Sequence, residues 1–170
     1  MKKFVLVLQL PPSLSFEEAK PRLDELFDFL PDNFVYPIEG RHESWFSEDA
    51  IKYLKQNKHC LVWNEVAGVN NPMPVTSNYL YIRLIGDRSI SDSEFGRVVK
   101  NKDVLIASWA KKLEKIKDIP LAMVMINNHF EGFSPHTVNS LRMKLGMWEL
   151  IWEEKNRKLW VIFKIDIFNG

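Results

Sequence analysis

Short apolar runs alternate with amphipathic stretches along the chain, and this order predicts strands separated by helices. Five apolar runs are typical of buried strands, namely 4–10, 34–39, 60–63, 79–85 and 121–126. Apolar residues at helical spacing predict four helices, over 16–30, 47–58, 104–116 and 134–145. Ser15 with Glu18 predicts a capping box at the first helix, and Ser47 is a suitable N-cap for the second. Regular alternation of this kind predicts parallel strands in an α/β fold.

The last part of the chain departs from this order. Apolar residues at 148–152 and 159–167 flank a polar segment, 154–157, and this pattern predicts a C-terminal β-hairpin. We therefore expect one domain over 1–146, with a hairpin extension over 147–170 that packs on the same domain. The hairpin is unusually apolar for a protein surface, so we expect it to cover an open sheet edge or face.

Composition argues against several classes of partner. The 23 basic and 22 acidic residues leave a net charge of +1, which offers no electrostatic footprint for nucleic acid. No apolar run approaches the length of about 20 residues that spans a membrane, and we expect no membrane partner. The single cysteine, Cys60, cannot form an internal disulfide and lies in an apolar run, so we expect a buried thiol and a cytoplasmic protein.

Polar side chains stand where the predicted strands end. Glu39, Arg41 and His42 follow the second strand. The other strands end near Gln9, Asn64 with Glu65, Arg83, and Asn127 with Asn128 and His129, and Glu131 follows in the last loop. Because the carboxyl ends of parallel strands meet at one edge of a sheet, we expect these groups to lie on the same side.

Four of these polar segments, in this order, resemble the YecE-like family, a domain of unknown function with a TIM-barrel fold. The segments are 9–13, 39–45, 74–77 with 81–83, and 127–132. The resemblance covers about residues 4–146 and implies polar groups that converge on one barrel mouth. It also implies that the family's opening strands are absent here. We therefore expect a partial (β/α) TIM-barrel-like parallel sheet of about five strands with helices, plus the hairpin.

Two further departures from the family pattern concern single residues. Gly40 stands where family members usually carry a bulky apolar residue, and Asn64 stands where they often carry aspartate. The family's activity is unsettled, so the resemblance implies a fold and site positions and does not name a reaction.

The polar groups suit an anionic or polyhydroxylated small molecule, because arginine binds phosphate and carboxylate in a bidentate way. Glu39 and His42 are the candidate catalytic acid and base. The candidate substrate-binding residues are Arg41, Arg83, Asn127, Asn128, His129, Glu131 and Gly132, with main-chain amides near Glu131, Gly132 and Ser134 as a phosphate site.

Each of these residues also has a structural interpretation. Glu39 and an arginine can form an ion pair, His42 can bind a loop carbonyl, and Asn127 with Asn128 can form a turn. Trp45 is better explained as a packing residue than as a stacking platform.

Two classes of function stay open, and whether the chain is an enzyme is undecided. One is a hydrolase or isomerase acting on a phosphorylated or carboxylated metabolite. The other is a non-catalytic ligand- or nucleic-acid-binding module, or an inactive barrel fragment. Glu39, His42, His129 and Glu131 are suitable metal donors, but no short-range ligand spacing exists, so we assign no metal and no cofactor.

Five parallel strands do not close a barrel, and the first and last strands then have open edges that invite pairing with another chain. We expect a homo-oligomer or a complementing N-terminal fragment.

Overall fold

Residues 4–31, 33–65, 72–116, 118–151 and 160–166 are described by a computed structural model of the chain. The strands are β1 (Phe4–Val5), β2 (Leu8–Gln9), β3 (Phe34–Val35), β4 (Ile38–Glu39), β5 (Trp63–Glu65), β6 (Leu80–Leu84), β7 (Leu121–Asn127) and β8 (Trp160–Asp166). The helices are α1 (Phe16–Phe29), α2 (Glu48–Gln56), α3 (Asp103–Glu114) and α4 (Ser134–Lys144). Two compact units share these elements: unit 1 is Met1–Trp63 with Asn70–Tyr81, and unit 2 is Asn64–Val69 with Ile82–Gly170. The single domain boundary expected after residue 146 stays a prediction.

In unit 1, the first two predicted strands form one parallel ladder that is interrupted in its middle. β1 pairs with β3 and β2 pairs with β4, both in parallel. The amides of Leu6 and Leu8 donate to the carbonyls of Val35 and Pro37, so the ladder continues between the two pairs. In a regular parallel ladder, residue 37 would donate to the carbonyl of Leu6. Pro37 has no amide hydrogen, which explains the break.

The core of unit 1 lies beneath the end of this ladder. α1 begins with the expected capping box of Ser15 and Glu18, and Ser47 caps α2. Both helices pack their apolar faces around Ile38, which is 0% exposed. Ile38 also receives a parallel bridge from Leu61, so the predicted third strand lies beside β4. The end of β4 is therefore held from below by a packed core.

A four-stranded sheet among the described residues has the order β5-β6-β7-β8, and most of its residues belong to unit 2. β8 runs antiparallel to β7, with Leu121 opposite Asp166 and Asn127 opposite Trp160. The predicted hairpin is therefore only approximate, since residues 147–151 form no strand and the proposed turn lies outside the described residues. β8 pairs with β7 instead of with residues 147–151. β7 offers the longer edge, because all seven of its residues pair with β8.

α4 begins at Ser134, where the sequence predicts its start, with Phe133 in the N-cap position. The side chain of Phe133 makes no capping hydrogen bond. Oδ1 of Asn128 accepts the amide hydrogen of Ser134 at 2.8 Å instead and so takes over the capping role.

The predicted fold class is confirmed, since the described residues contain parallel strands and four α-helices in a mixed α/β arrangement. Among the residues that the structure describes, no helix is both long enough and apolar enough to cross a membrane.

Candidate functional site

Glu39 and Arg41 form an ion pair at the end of β4. Nε and Nη2 of Arg41 donate to the same oxygen, Oε1 of Glu39, at 3.0 and 2.9 Å. The Glu39 side chain is 0% exposed, whereas that of Arg41 is 36% exposed. A buried carboxylate thus holds one edge of the guanidinium, while part of the arginine faces solvent. We call these two residues the Glu39–Arg41 pair.

His42 follows the Glu39–Arg41 pair and begins a 3-10 helix, Glu43–Phe46. Its Nδ1 accepts the amide hydrogen of Ser44 at 3.2 Å and lies 2.9 Å from the hydroxyl of Ser44. Because Nδ1 accepts the amide hydrogen, the neutral ring carries its proton on Nε2. The Ser44 hydroxyl is then the donor to Nδ1, and its oxygen accepts the amide hydrogen of Phe16 at 2.8 Å. This network ties the His42 ring to the start of α1.

Trp45 is a packing residue, as its structural interpretation predicted. It is 0% exposed, and its Nε1 donates to the carbonyl of Leu14 at 3.1 Å. A Cβ on Gly40 would lie only 2.2 Å from Cγ of Trp45. The indole ring therefore occupies the space beside residue 40, where the family usually has a bulky apolar side chain. Gly40 is needed here because Trp45 approaches its backbone so closely.

In unit 2, Asn127 and Asn128 act as local caps. Asn127 ends β7, and its Oδ1 accepts the amide hydrogen of His129 at 2.8 Å. Asn128 caps α4 through Ser134, as described above. Both side-chain oxygens therefore shape the loop after β7, in line with the turn-forming alternative.

His129 is fixed by the loop that precedes α3. Its Nδ1 donates to the carbonyl of Ile90 at 3.1 Å, and its Nε2 lies 3.7 Å from Oδ1 of Asp92. The ring of Phe95 meets it edge to face at 4.9 Å. The His129 side chain is 21% exposed, so these contacts cover most of it.

Glu131 is a buried carboxylate that joins two helices. It is 1% exposed, and its Oε2 accepts the hydroxyl hydrogen of Thr137 at 2.7 Å. Its Oε1 lies 3.4 Å from the amide nitrogen of Lys102, directly before α3. Nδ1 of His136 lies 3.2 Å from Oε2. These contacts explain the burial of a charged group, because each carboxylate oxygen has a donor nearby.

The main-chain amides near Glu131 already have partners. Gly132 donates to the carbonyl of Asn128 at 2.6 Å, and His136 donates to that of Phe133 at 3.0 Å. The amide of Ser134 is bound by Asn128, and Pro135 has no amide hydrogen. A Cβ on Gly132 would lie 2.4 Å from the carbonyl oxygen of Arg97, so this glycine permits close backbone packing. The phosphate site expected at these amides stays a prediction.

The predicted site residues therefore fall into two sets. Glu39, Arg41 and His42 lie together in unit 1, while Asn127, Asn128, His129, Glu131 and Gly132 lie in unit 2. Arg83 also lies in unit 2, inside β6 and one residue before its end. That all of them face one mouth stays a prediction.

Sequence reasoning missed Ser44, Thr137 and His136. Ser44 contacts Phe16 across 28 positions of the chain, and no local pattern signals such a contact. Thr137 and His136 follow Glu131 at spacings of six and five, on the first turn of α4. The carboxylate–histidine spacing was visible in the sequence, but it corresponds to no motif.

Groups of three or more histidine, cysteine, aspartate or glutamate side chains able to hold a metal ion are absent from the described part of the chain.

Comparison with solved structures finds the same fold in a DUF72 family protein from Thermotoga maritima. The TM-score is 0.66 at 18% sequence identity, and the match covers 84% of this chain and 57% of that one. This chain therefore spans little more than half the length of that relative. A comparison with curated proteins gives no match.

The family itself is defined by sequence. Residues 2–158 match the family described as "Protein of unknown function DUF72". That match takes in both sets of candidate site residues and nearly all the described elements. The chain belongs to the DUF72 family.

Proposed function

We propose that the chain is a YecE-like protein that binds a phosphorylated or carboxylated small molecule through Arg41 and acts on it as a hydrolase or isomerase. The observation that carries this proposal is the Glu39–Arg41 pair. The carboxylate binds Nε and Nη2, and the arginine side chain is still 36% exposed. An arginine held in this way is ready to bind an anion at little further cost in side-chain entropy.

Within this proposal, Glu39 positions Arg41 and does not touch the ligand. Its side chain is 0% exposed, so a solvent-borne molecule does not reach it. The negative charge of Glu39 offsets part of the charge of Arg41. This favours a ligand that also forms hydrogen bonds over a simple counter-ion.

His42 is the proposed proton donor. Its Nδ1 accepts hydrogen from Ser44, so Nε2 carries the ring proton. The ring is half-buried and directly follows Arg41 in the chain. An imidazole N–H beside a bound phosphate or carboxylate can donate a hydrogen bond to the ligand, and only the doubly protonated ring can give a proton to a leaving group and return to the neutral form.

The binding test compares Arg41→Lys with the wild type. Lysine keeps a positive charge beside Glu39, which limits the loss of stability, but it lacks the planar fork of arginine. We expect affinity for phosphorylated or carboxylated compounds, beginning with inorganic phosphate, to fall by roughly tenfold in calorimetry. Lys52→Ala removes an exposed charge from α2 of the same unit and is the matched control. Equal affinity in Arg41→Lys and the wild type would overturn the proposal.

Turnover of the bound compounds separates an enzyme from a binding module. If the chain is an enzyme, His42→Gln slows turnover more than it weakens binding. A wild-type protein that binds such compounds and converts none of them is a binding module instead.

Location and assembly belong to this proposal as well. A cytoplasmic protein suits the lone cysteine, Cys60, which is 1% exposed. β1 and β2 follow each other along one extended segment, the β1–β2 strand, which pairs with β3 and β4. Self-association, or pairing with a complementing fragment, suits the other edge of this strand.

A further inference from the structure

A cleft of unit 1 lies beside β3. It has a volume of about 440 Å³ and is lined at one side by Phe34 and Val35, which form β3, and by Tyr36. Residues of the α1 and α2 ends, among them Leu30 and Asn57, line another side. Tyr36 is three residues from Glu39 along the chain, roughly 10 Å in extended backbone. We call this the aromatic cleft.

The aromatic cleft is rich in stacked rings. Phe27 stacks on His59 with ring centres 3.9 Å apart and an angle of 19° between the planes. Phe34 stacks on Tyr36 at 6.0 Å, and Phe27 meets Tyr36 edge to face at 6.1 Å. Phe27, Phe34, His59 and Tyr79 are all half-buried and line the cleft. The wall of the cleft is therefore rich in aromatic rings.

Uncharged polar groups accompany the rings. Burial lowers the pKa of His59, so its ring is neutral at neutral pH. Burial also raises the pKa of the Tyr79 hydroxyl, which therefore stays protonated. Asn57 and Asn78 supply amide groups at the rim, and Asn57 uses only its Nδ2, as donor to the carbonyl of Tyr53 at 2.9 Å. Stacked rings beside amide groups match the face and the edge of a heteroaromatic base.

A basic cleft adjoins the aromatic one. It has a volume of about 350 Å³ and shares Lys58 and Asn78 with the aromatic cleft. Lys55 also lines it, three residues before Lys58. Lys58 adopts a left-handed backbone conformation with φ of 57°, and its amide donates to the carbonyl of Lys55 at 3.2 Å. This turn after α2 therefore places two lysines in the wall of one cleft, which suits a phosphate group.

We propose that these adjoining clefts form a nucleotide-binding site. The base stacks among the rings of the aromatic cleft, and the phosphate lies at Lys55 and Lys58 in the basic cleft. The volume of the aromatic cleft falls within the usual range of about 300–1,000 Å³ for small-molecule sites. The shared residues Lys58 and Asn78 place the two parts side by side, as a base and its 5′-phosphate are placed in a nucleotide. The same chemistry occurs in a free nucleotide and in a nucleotide of a single strand.

Titration of the full chain with adenosine 5′-monophosphate tests this site, with NMR chemical shifts and calorimetry as readouts. The resonances of Phe34, His59 and Tyr79 should shift on binding. Adenosine and ribose 5-phosphate should each bind at least roughly tenfold more weakly, because each lacks half of the recognised groups. A short oligothymidylate distinguishes a free nucleotide from a nucleotide of a single strand. If it binds at the same residues more tightly than the monophosphate does, the natural ligand is a single strand.

Variants assign the two halves separately. Lys58→Gln should weaken binding of the monophosphate roughly threefold to fivefold and leave adenosine unaffected. Phe34→Leu should weaken both ligands by a similar factor. Lys52→Ala, on α2 but outside both clefts, is the control and should change neither.

Three results would overturn the proposal. They are no binding of any ligand at millimolar concentration, shifts confined to residues outside the clefts, and equal loss in Lys58→Gln and Lys52→Ala. Arg41→Lys should leave this binding unchanged, so failure here is independent of the function proposed above.

Discussion

Gly40 and Trp45 show how one side chain fixes its neighbour. The indole of Trp45 is fully buried, and its ring carbons occupy the position that a Cβ of residue 40 would need. The backbone of Gly40 connects Glu39 to Arg41, so the packing of Trp45 also determines where the ion pair lies. The lack of a side chain at Gly40 therefore contributes to the position of the Glu39–Arg41 pair.

Gly40→Ala should destabilise the protein by about 1–3 kcal/mol, the usual cost of forcing an extra methyl group into a packed core. Urea unfolding measures the loss. In a Trp45→Ala background the same substitution should cost clearly less, because Cγ and Cδ2 of Trp45, the two atoms nearest to the added methyl group, are gone. Equal costs in the two backgrounds would contradict the role assigned to Trp45.

At the scale of elements, α1 and α2 are joined by a polar contact beside their apolar packing. The hydroxyl of Tyr53 donates to Oδ1 of Asp24 at 2.6 Å, and Lys20 donates to Oδ2 at 3.0 Å. The hydrogen bond from Tyr53, followed by that from Lys20, lowers the pKa of Asp24. Lys20 also lies 5.1 Å above the ring of Tyr53. The ionised form of Asp24 is thus favoured by folding.

Tyr53→Phe should cost about 1–2 kcal/mol of stability at pH 7, because a hydrogen bond to a charged group is lost. A lowered pKa in the folded state stabilises the protein above the unfolded pKa of about 4, and this gain disappears as the pH falls through the folded value. The cost of Tyr53→Phe should therefore shrink when the pH is lowered from 7 into the acid range in which Asp24 is protonated in the folded state. Urea unfolding at pH 7 and in this acid range measures it, with Lys20→Ala as the exposed-pair control, expected to cost under about 0.5 kcal/mol. An undiminished cost in acid would refute this link.

Local sequence signals predicted most of these elements well. The capping residues Ser15 and Ser47 start their helices as expected, and the apolar run at 121–126 becomes β7. The partner of β8 was not predictable, because strand pairing depends on which edge is available after folding. The contacts of Glu131 were not predictable either, since they bring Lys102 and Thr137 together across the chain.

The sequence identified candidate site residues but did not predict the contacts that these residues make. Glu39, Arg41 and His42 do lie together after β4. However, the burial of Glu39 and the hydrogen bond that Nδ1 of His42 accepts from Ser44 follow from tertiary packing and have no local signal in the sequence. Asn127 and Asn128 were recognised as polar strand-end groups, and the structure uses their oxygens as caps.

At the scale of the whole molecule, the β1–β2 strand has a strand neighbour on one side only, within the part of the chain that the structure describes. The amides of Leu6, Leu8 and Leu10 point to β3 and β4. Strand geometry directs the backbone groups of Val5 and Val7 to the opposite edge. Leu6 is 50% exposed, so this edge carries apolar surface. Such an edge favours pairing with another strand.

We expect sedimentation velocity to show self-association of the chain at micromolar concentrations, or a stable complex with a fragment that supplies the neighbouring strand. Leu6→Lys should weaken either association, because a lysine at a sheet edge opposes pairing. Val104→Lys is the control, since Val104 is 87% exposed on α3 and lies on no strand edge. If the chain stays monomeric with and without these substitutions and binds no added fragment, this edge does not mediate association.

The most direct measurement of anion binding is the NMR signal of the Nε–H group of Arg41 during titration with inorganic phosphate. The signal is assigned by its absence in Arg41→Lys, and the exposed Arg88 supplies the control signal. If the Glu39–Arg41 pair presents its arginine to anions, the Arg41 signal shifts and saturates, and Glu39→Gln weakens the response because the guanidinium is held less firmly. An Arg41 signal that moves no more than that of Arg88 would contradict the proposed function.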